Sequence, residues 1–414
     1  MTSPSAAAGR LAASDLASRL SRKALPGLLF AAILSGFFVY VEPSPYEFLV
    51  GLLALAAVCL GLTVDRKLLP LVLLLLLWNI AGLASLLPVL HDGEAIKFLA
   101  ISFYLAFSAV LFACLFLRDS LQRLEVVRRA YVLAAVLAAL AGVAGYFHLV
   151  PGADLFTLSD RARGTFKDPN VYAPFLILPA LFLAERIVSD GMRLHRVIAM
   201  ALIVVGLFLS FSRGAWMHFV VSATFLVALM FLAAPTVLQR RRILALAWIA
   251  AIGAVGLITV LLSFDPVGNL FEQRASILQE YDSPDTGRFG RQTTSLPVLL
   301  ERPNGVGPVQ FRQHFGQDPH NVYLNAFASY GWIGGIAYLL LVLSTLYVGF
   351  RHALTPTPWQ PYLIPALATF VGLALEGFVV DTDHWRHFYL ILGIIWALAT
   401  STANASQGTP HRSR

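Results

Sequence analysis

Charged side chains are scarce in this chain: Asp, Glu, Lys and Arg make up 13% of its 414 residues, against 58% for the apolar types. That shortage excludes a soluble globular domain, which carries about twice that share of charge. Cysteine is almost missing. Cys59 and Cys114 both fall inside apolar runs, which argues against a disulfide and for reduced core packing. No Pro/Ser linker, block of like charge or internal repeat divides the sequence, so no boundary between soluble domains can be drawn.

What the sequence has instead is hydrophobic length. Runs of about 17 to 25 apolar residues can cross a hydrocarbon layer of roughly 30 Å. Twelve such runs occupy residues 25–41, 47–64, 68–90, 98–117, 130–150, 171–187, 197–212, 214–234, 243–262, 330–350, 361–380 and 385–401. The expected fold is an all-α polytopic membrane protein with about 12 transmembrane helices. It forms a single domain over 25–401, with tails at 1–24 and 402–414 and a long loop at 264–320 between helices 9 and 10. The first run can imitate a signal peptide, but eleven further spans argue against its removal.

Lys and Arg concentrate in short cytoplasmic loops. With the N-terminus inside, 19 of the 30 basic residues fall on the cytoplasmic side, which predicts both termini there. Eight of the remaining eleven sit in two outer loops: Arg161, Arg163 and Lys167, then Arg274, Arg288, Arg291, Arg302 and Arg312. The net charge of +7 is therefore mostly topology and attraction to anionic lipids, and gives no reason to expect nucleic acid as a partner.

Arginines on the outer side ask for a reason. Arg213, in Ser210-Phe211-Ser212-Arg213-Gly214, lies between the seventh and eighth runs with no loop around it. A charge near membrane depth defaults to a functional reading; the alternative is snorkelling to headgroups at a tight turn. Arg288 and Arg291 are three apart and would share a helix face. Their planar forks match phosphate oxygens without a metal; the alternative is pairing with loop carboxylates. His320, after Asp318-Pro319, carries an imidazole suited to take a proton from a sugar hydroxyl, although a lone histidine is usually structural. In the first outer loop, 151–170, Pro169 and Asn170 suit a helix start, with Asn170 as N-cap. In the second, a helix is expected over about 293–300, followed by a stop at Glu301 to Gly305.

The order of Arg163 with Pro169-Asn170, Ser212-Arg213-Gly214, Gly287-Arg288, Gly305-Val306-Gly307 and His320-Asn321-Val322-Tyr323-Leu324 resembles the O-antigen ligase and polymerase superfamily, over about residues 161–347. The resemblance implies a GT-C-like, metal-independent glycosyltransferase of the cell inner membrane, multi-pass, with its active site facing the periplasm. It implies transfer of a glycan from an undecaprenyl diphosphate donor to a sugar hydroxyl of the lipid A core in ligases, or to another lipid-linked glycan in polymerases. It requires no cofactor. Carried over, Arg213 and Arg288 hold the diphosphate, with Arg291 and then Arg163 in reserve. His320 is the base, and Asn321, Asn170 and Tyr323 support the substrate.

Two alternatives stay open. Asp381-Thr382-Asp383-His384 reads first as a hydrogen-bonded loop, second as an acceptor-sugar contact and third as a divalent-metal site. A transporter would instead need broken helices and a midplane site, for which Glu185 and Glu376 are the available buried charges. Trp216, Tyr323, Tyr330, Trp332 and Trp385 read as interfacial anchors among the membrane lipids. A structural or assembly role without chemistry is the third class.

Overall fold

A computed structural model of the chain describes residues 24–274 and 287–408. The tail residues 1–23 and 409–414 and the loop residues 275–286 lie outside the described residues. The architecture is all α. Among the described residues, eight helices or helix runs are long and apolar enough to cross a membrane on their own: Arg66–Val89, Gly93–Leu117, Ser120–Tyr146, Pro169–Asp190, Arg213–Ala233, Val237–Leu262, Val322–Ala353 and Arg386–Ala405. Shorter helices Ala24–Ser35, Pro45–Cys59, Leu194–Leu209 and Gln360–Glu376 coincide with the other four expected spans.

In chain order the helices are α1 (Ala24–Ser35), α2 (Pro45–Cys59), α3 (Leu69–Leu86), α4 (Gly93–Leu117), α5 (Ser120–Tyr146), α6 (Pro169–Phe175), α7 (Ile177–Asp190) and α8 (Leu194–Leu209). They continue with α9 (Arg213–Ala233), α10 (Val237–Leu262), α11 (Asp265–Arg274), α12 (Arg288–Leu300), α13 (Phe311–Phe315), α14 (Val322–Ala353), α15 (Gln360–Glu376) and α16 (Arg386–Gly408). A two-stranded ribbon, β1 (Thr157–Leu158) against β2 (Arg161–Ala162), is antiparallel and closes the loop before α6.

Helix starts are fixed by side chains that accept from otherwise unpaired first-turn N–H groups. Ser44 and Glu47 form a reciprocal capping box at α2, while Asp92, Ser212 and Asn321 cap α4, α9 and α14. At α6 the cap is Asp168, whose carboxylate accepts from Asn170 N–H at 2.7 Å. The expected cap Asn170 is displaced one turn position inward, because Pro169 fills the first helical position, where its missing N–H costs nothing.

The tightest pairings are α3 with α14, α9 with α15 and α4 with α16. In lipid, such pairings depend on close van der Waals packing rather than on removing apolar surface from water. Glycine provides the approach: at Gly393 of α16 a side chain would lie 2.7 Å from Cβ of Phe112 on α4. Trp78 of α3 packs between Tyr330 and Tyr338 of α14, at ring separations of 5.0 and 4.9 Å. By contrast, α10 buries only Ile243 and Leu261.

Helix α14 breaks at Gly331 (φ 69°, ψ −173°). The break turns Trp332 N–H away from the helix to the Pro303 carbonyl at 2.8 Å. The carbonyl of Ala328 then accepts from Val306 and Gly307 N–H, at 2.8 and 3.2 Å. Irregular backbone at membrane depth survives only when its polar groups are satisfied within the protein, and Gly305-Val306-Gly307 does this for the broken helix. Gly305 (φ 74°) has the Ala328 carbonyl against it, leaving no room for a side chain.

Candidate functional site

The starts of α4, α6, α9, α14 and α16 share one face of the bundle with α12, α13 and the turn 377–385. His320 follows Pro319 and takes a left-handed conformation (φ 46°), which is uncommon outside glycine. Three side chains hold it. The Asp381 carboxylate accepts from His320 N–H with Oδ2 and from Asn321 N–H with Oδ1, both at 3.1 Å. Gln292 on α12 donates to the Pro319 carbonyl at 2.9 Å. Asn321 then caps α14 by accepting from Leu324 N–H at 3.1 Å, and Val322 N–H reaches the Gly377 carbonyl at 2.8 Å.

Asp381 is an unusual carboxyl. Burial, and after it the neighbouring Asp383 carboxylate, push its pKa up to about 8 against the pull of the two backbone N–H groups. His384 responds in the opposite sense to its own burial: the Asp383 carboxylate, 3.2 Å from Nδ1, holds the imidazole above its ordinary range. Its Nε2 faces the Phe98 carbonyl at 3.0 Å. Asp383 also accepts from Asn325 at 3.3 Å. Within the Asp-x-Asp-His run, Asp381 thus turns to the His320–Asn321 backbone while Asp383 and His384 face each other, and no group of three His, Cys, Asp or Glu gathers as metal ligands among the described residues.

Arg213 opens α9 behind the Ser212 cap. Next to it, a Cβ on Gly214 would sit 3.2 Å from Glu376 Oε1, so the start of α9 touches the end of α15. The segment 376–381 therefore has the α9 terminus at one end and the His320–Asn321 backbone at the other. Arg291 donates to the Phe315 carbonyl at 2.7 Å and packs over Gly316. Arg288 stands at the first position of α12; its side chain lies outside the described residues. Arg163 stacks over Tyr40 at 5.2 Å, and its neighbour Arg161 is the arginine that reaches Asn170 Oδ1, at 2.8 Å, and the Ser210 carbonyl, at 2.7 Å. Tyr323 donates its hydroxyl to the Ala374 carbonyl at 2.6 Å, bracing α14 on α15.

A cavity of about 740 Å³ opens beside His320. Pro319, Asn325, Asp381 and Asp383 form one wall, and the starts of α2, α4, α6 and α16 form the others. From Lys97 to Leu105 it follows nine residues of α4, eight helical steps and a depth of roughly 12 Å. Two ion pairs lie in its lining, Lys167 with Glu42 at 2.9 Å and Arg386 with Glu47 at 2.5 Å. Among the described residues, the cavity-lining Tyr104, Tyr131, Arg386 and His387 each carry a sealed polar atom without a hydrogen-bond partner. Neither Arg213 nor Arg291 nor His320 is among the lining residues; the cavity meets this part of the site at Asp318, Pro319 and Asp381.

Sequence reasoning missed the contacts of Asp381 with the His320 backbone, of Arg161 with Asn170, and of His218 with Glu376. The last had a usable signal, an ionisable side chain in the middle of an apolar run.

The fold and this face define a multi-pass, all-α membrane protein with a polar site at one end of the bundle. Residues 198–339 match the family model described as O-antigen ligase, a similarity over about a third of the chain that supports the resemblance to the O-antigen ligase and polymerase superfamily. Members of that family are glycosyltransferase-like, which supports an enzyme at that coarse level. No curated protein matches it. The matched stretch holds Arg213, Arg288, Arg291 and His320, and Asp381 reaches His320 from outside it.

Proposed function

We propose that this protein moves a glycan from undecaprenyl diphosphate to an acceptor sugar hydroxyl of the lipid A core, at the periplasmic face of the cell inner membrane and with both termini cytoplasmic. The observation that carries this reading is the fixed placement of His320, in the family-matched stretch, by Asp381 at the wall of the cavity.

The chemistry follows from charge. The acceptor hydroxyl attacks the anomeric carbon while the diphosphate oxygen leaves, so a proton must go and negative charge grows on the leaving group. His320 takes the proton, a task for which an imidazole is matched near neutral pH. Arg213, with Arg288 or Arg291, meets the growing charge in a poorly hydrated site, where preset donors stabilise it most. Arg163, Asn321 and Tyr323 act through the backbone they hold, and Asn170 through Arg161, which reaches the Ser210 carbonyl. One displacement inverts the anomeric centre. The cavity, lined by both apolar and charged side chains, suits a substrate that joins a lipid to a sugar.

The test is transfer in proteoliposomes from undecaprenyl-diphosphate oligosaccharide, offering lipid A core and lipid-linked repeat as acceptors, with and without chelator, for wild type and His320→Ala. Transfer to the core that survives chelator and disappears in the variant is the expected result. Growth on the lipid-linked repeat identifies a polymerase, and failure with both acceptors by folded protein overturns the reading.

A further inference from the structure

Below the turn 377–381 lies a pair of ionisable side chains that the proposed chemistry does not use. His218, on α9 one and a half turns from Arg213, places Nδ1 2.7 Å from Oε2 of Glu376, and neither side chain has exposed surface. Its Nε2 lies 3.0 Å from the Thr369 carbonyl oxygen. A carbonyl can only accept, so Nε2 carries a proton, and the short Nδ1 to Oε2 contact holds one more on either atom. Both helices are shaped around the pair. A side chain on Gly372 of α15 would collide with the His218 ring and the Ser222 hydroxyl, and one on Gly214 would press on Glu376.

A buried pair of this kind is weak evidence for stability, since well-packed apolar replacements often do as well, but it can fix one arrangement of helices over others. Here the arrangement matters. Glu376 is the last residue of α15; Gly377 receives Val322 N–H, and Asp381, four residues on, holds His320 and Asn321. Its contact with α9 comes one position after Arg213. We propose that His218 and Glu376 are positioning residues that set the start of α9 in register with the turn 377–381, and through them Arg213 with His320. The importance of that register rests on the reading of Arg213 and His320 given above; the register itself does not.

The experiment has two arms that can fail separately. In protein lacking Cys59 and Cys114, spin labels are placed at Val220→Cys on α9 and Phe378→Cys after α15, both exposed, at 63% and 54%, and the distance distribution is measured in nanodiscs. The variants are Glu376→Ala, Glu376→Gln, whose amide can still donate to Nδ1, and His218→Leu/Glu376→Leu, which leaves no buried polar group unpaired and keeps the test valid if Glu376→Ala does not fold. In parallel, kcat and KM are measured for glycan transfer. The expected result is an unchanged distribution for Glu376→Gln and a displaced or broadened one for the double leucine variant. The latter should lose at least about tenfold in kcat with KM nearly held, since small misplacements have costs of that order. Glu376→Gln should keep most of the activity. An unchanged distance in the double variant overturns the proposal, whether activity is kept or lost. A displaced distance in a protein with no transfer activity at all upholds the register while overturning the glycosyltransferase reading.

Discussion

The two faces of the bundle use their charged side chains in different ways. On the face away from the site, charges satisfy one another: Glu125 accepts from Arg128, from Arg129 at 2.7 Å, from Arg186 at 3.1 Å and from the Tyr362 hydroxyl at 3.0 Å. Asp190 joins Arg186 and Arg196 to the cluster, and Arg128 lies over the Tyr362 ring at 4.8 Å. On the site face, beside ion pairs such as Lys167 with Glu42 and Arg386 with Glu47, polar side chains also satisfy irregular backbone. Asp381 takes two N–H groups, Gln292 and Arg291 each cover a carbonyl, and Arg161 another. A network that binds α5, α7, α8 and α15 to each other is a lock. Side chains that hold irregular backbone define where a few reacting groups stand, which is the support a precise site needs.

The comparison predicts that damage on the site face appears first in rate and damage on the other face first in stability. The largest effect belongs to His320→Ala, with a loss of about 100-fold or more in transfer, the contribution expected of a general base, at an unchanged thermal midpoint. Arg213→Ala should cost roughly 100-fold through the lost donor to the leaving diphosphate. Equal effects on melting and on rate at these positions would erase the distinction between the faces.

Asp381 sharpens the comparison through pH. Its pKa is raised from 3.8 to about 8, so the folded protein holds this proton more tightly than the unfolded chain. The associated stability is complete below about pH 4 and is lost as pH rises to about 8. The ionised form is the better acceptor for two N–H groups, so placement of His320 should improve as the folded carboxyl ionises, around pH 8. Wild type is therefore expected to melt lower but turn over faster between pH 6.5 and 8.5, and Asp381→Asn should flatten both trends. Melting and rate that move together with pH in wild type would contradict the assignment.

Much of this fold was legible from hydropathy, because a lipid environment leaves helices as the form that satisfies backbone within one segment. The turn at Gly305-Val306-Gly307 and the His320-Asn321 pair were legible as motifs. What they dock on was not. Asp381 is 61 residues beyond His320 in sequence, and nothing local records that its carboxylate grips two backbone N–H groups. The contact of Arg161 with Asn170 was hidden for a similar reason: Arg161 stands in β2, whose pairing with β1 the local sequence does not record. His218 was hidden for another reason, since its partner Glu376 lies at the far end of a different span.

A smaller effect is expected at Gly372, where a methyl group has to displace the His218 ring or the Ser222 hydroxyl. Overpacking of this kind costs about 1–3 kcal/mol. Gly372→Ala should therefore lower the thermal midpoint and, by moving α9 against α15, reduce transfer as well.

The smallest effect is the most informative about the opposite face. Glu125→Gln keeps the shape of the side chain and removes the charge at the centre of the cluster. Because the carboxylate is about one fifth exposed and the arginines keep Asp190 and Glu185 as partners, the loss should be limited to about 1 kcal/mol, in the upper range for exposed pairs. It should fade as salt screens the interaction. Transfer per folded molecule should remain within about twofold, since Glu125 holds helices that stay packed through α5, α7 and α15 and reaches no irregular segment of the site face. Chemical denaturation in detergent at low and high salt measures the first quantity, and the proteoliposome assay measures the second. A loss of transfer at intact stability would mean that the cluster reports to the site through α15, and the two faces would then have to be treated as one mechanism.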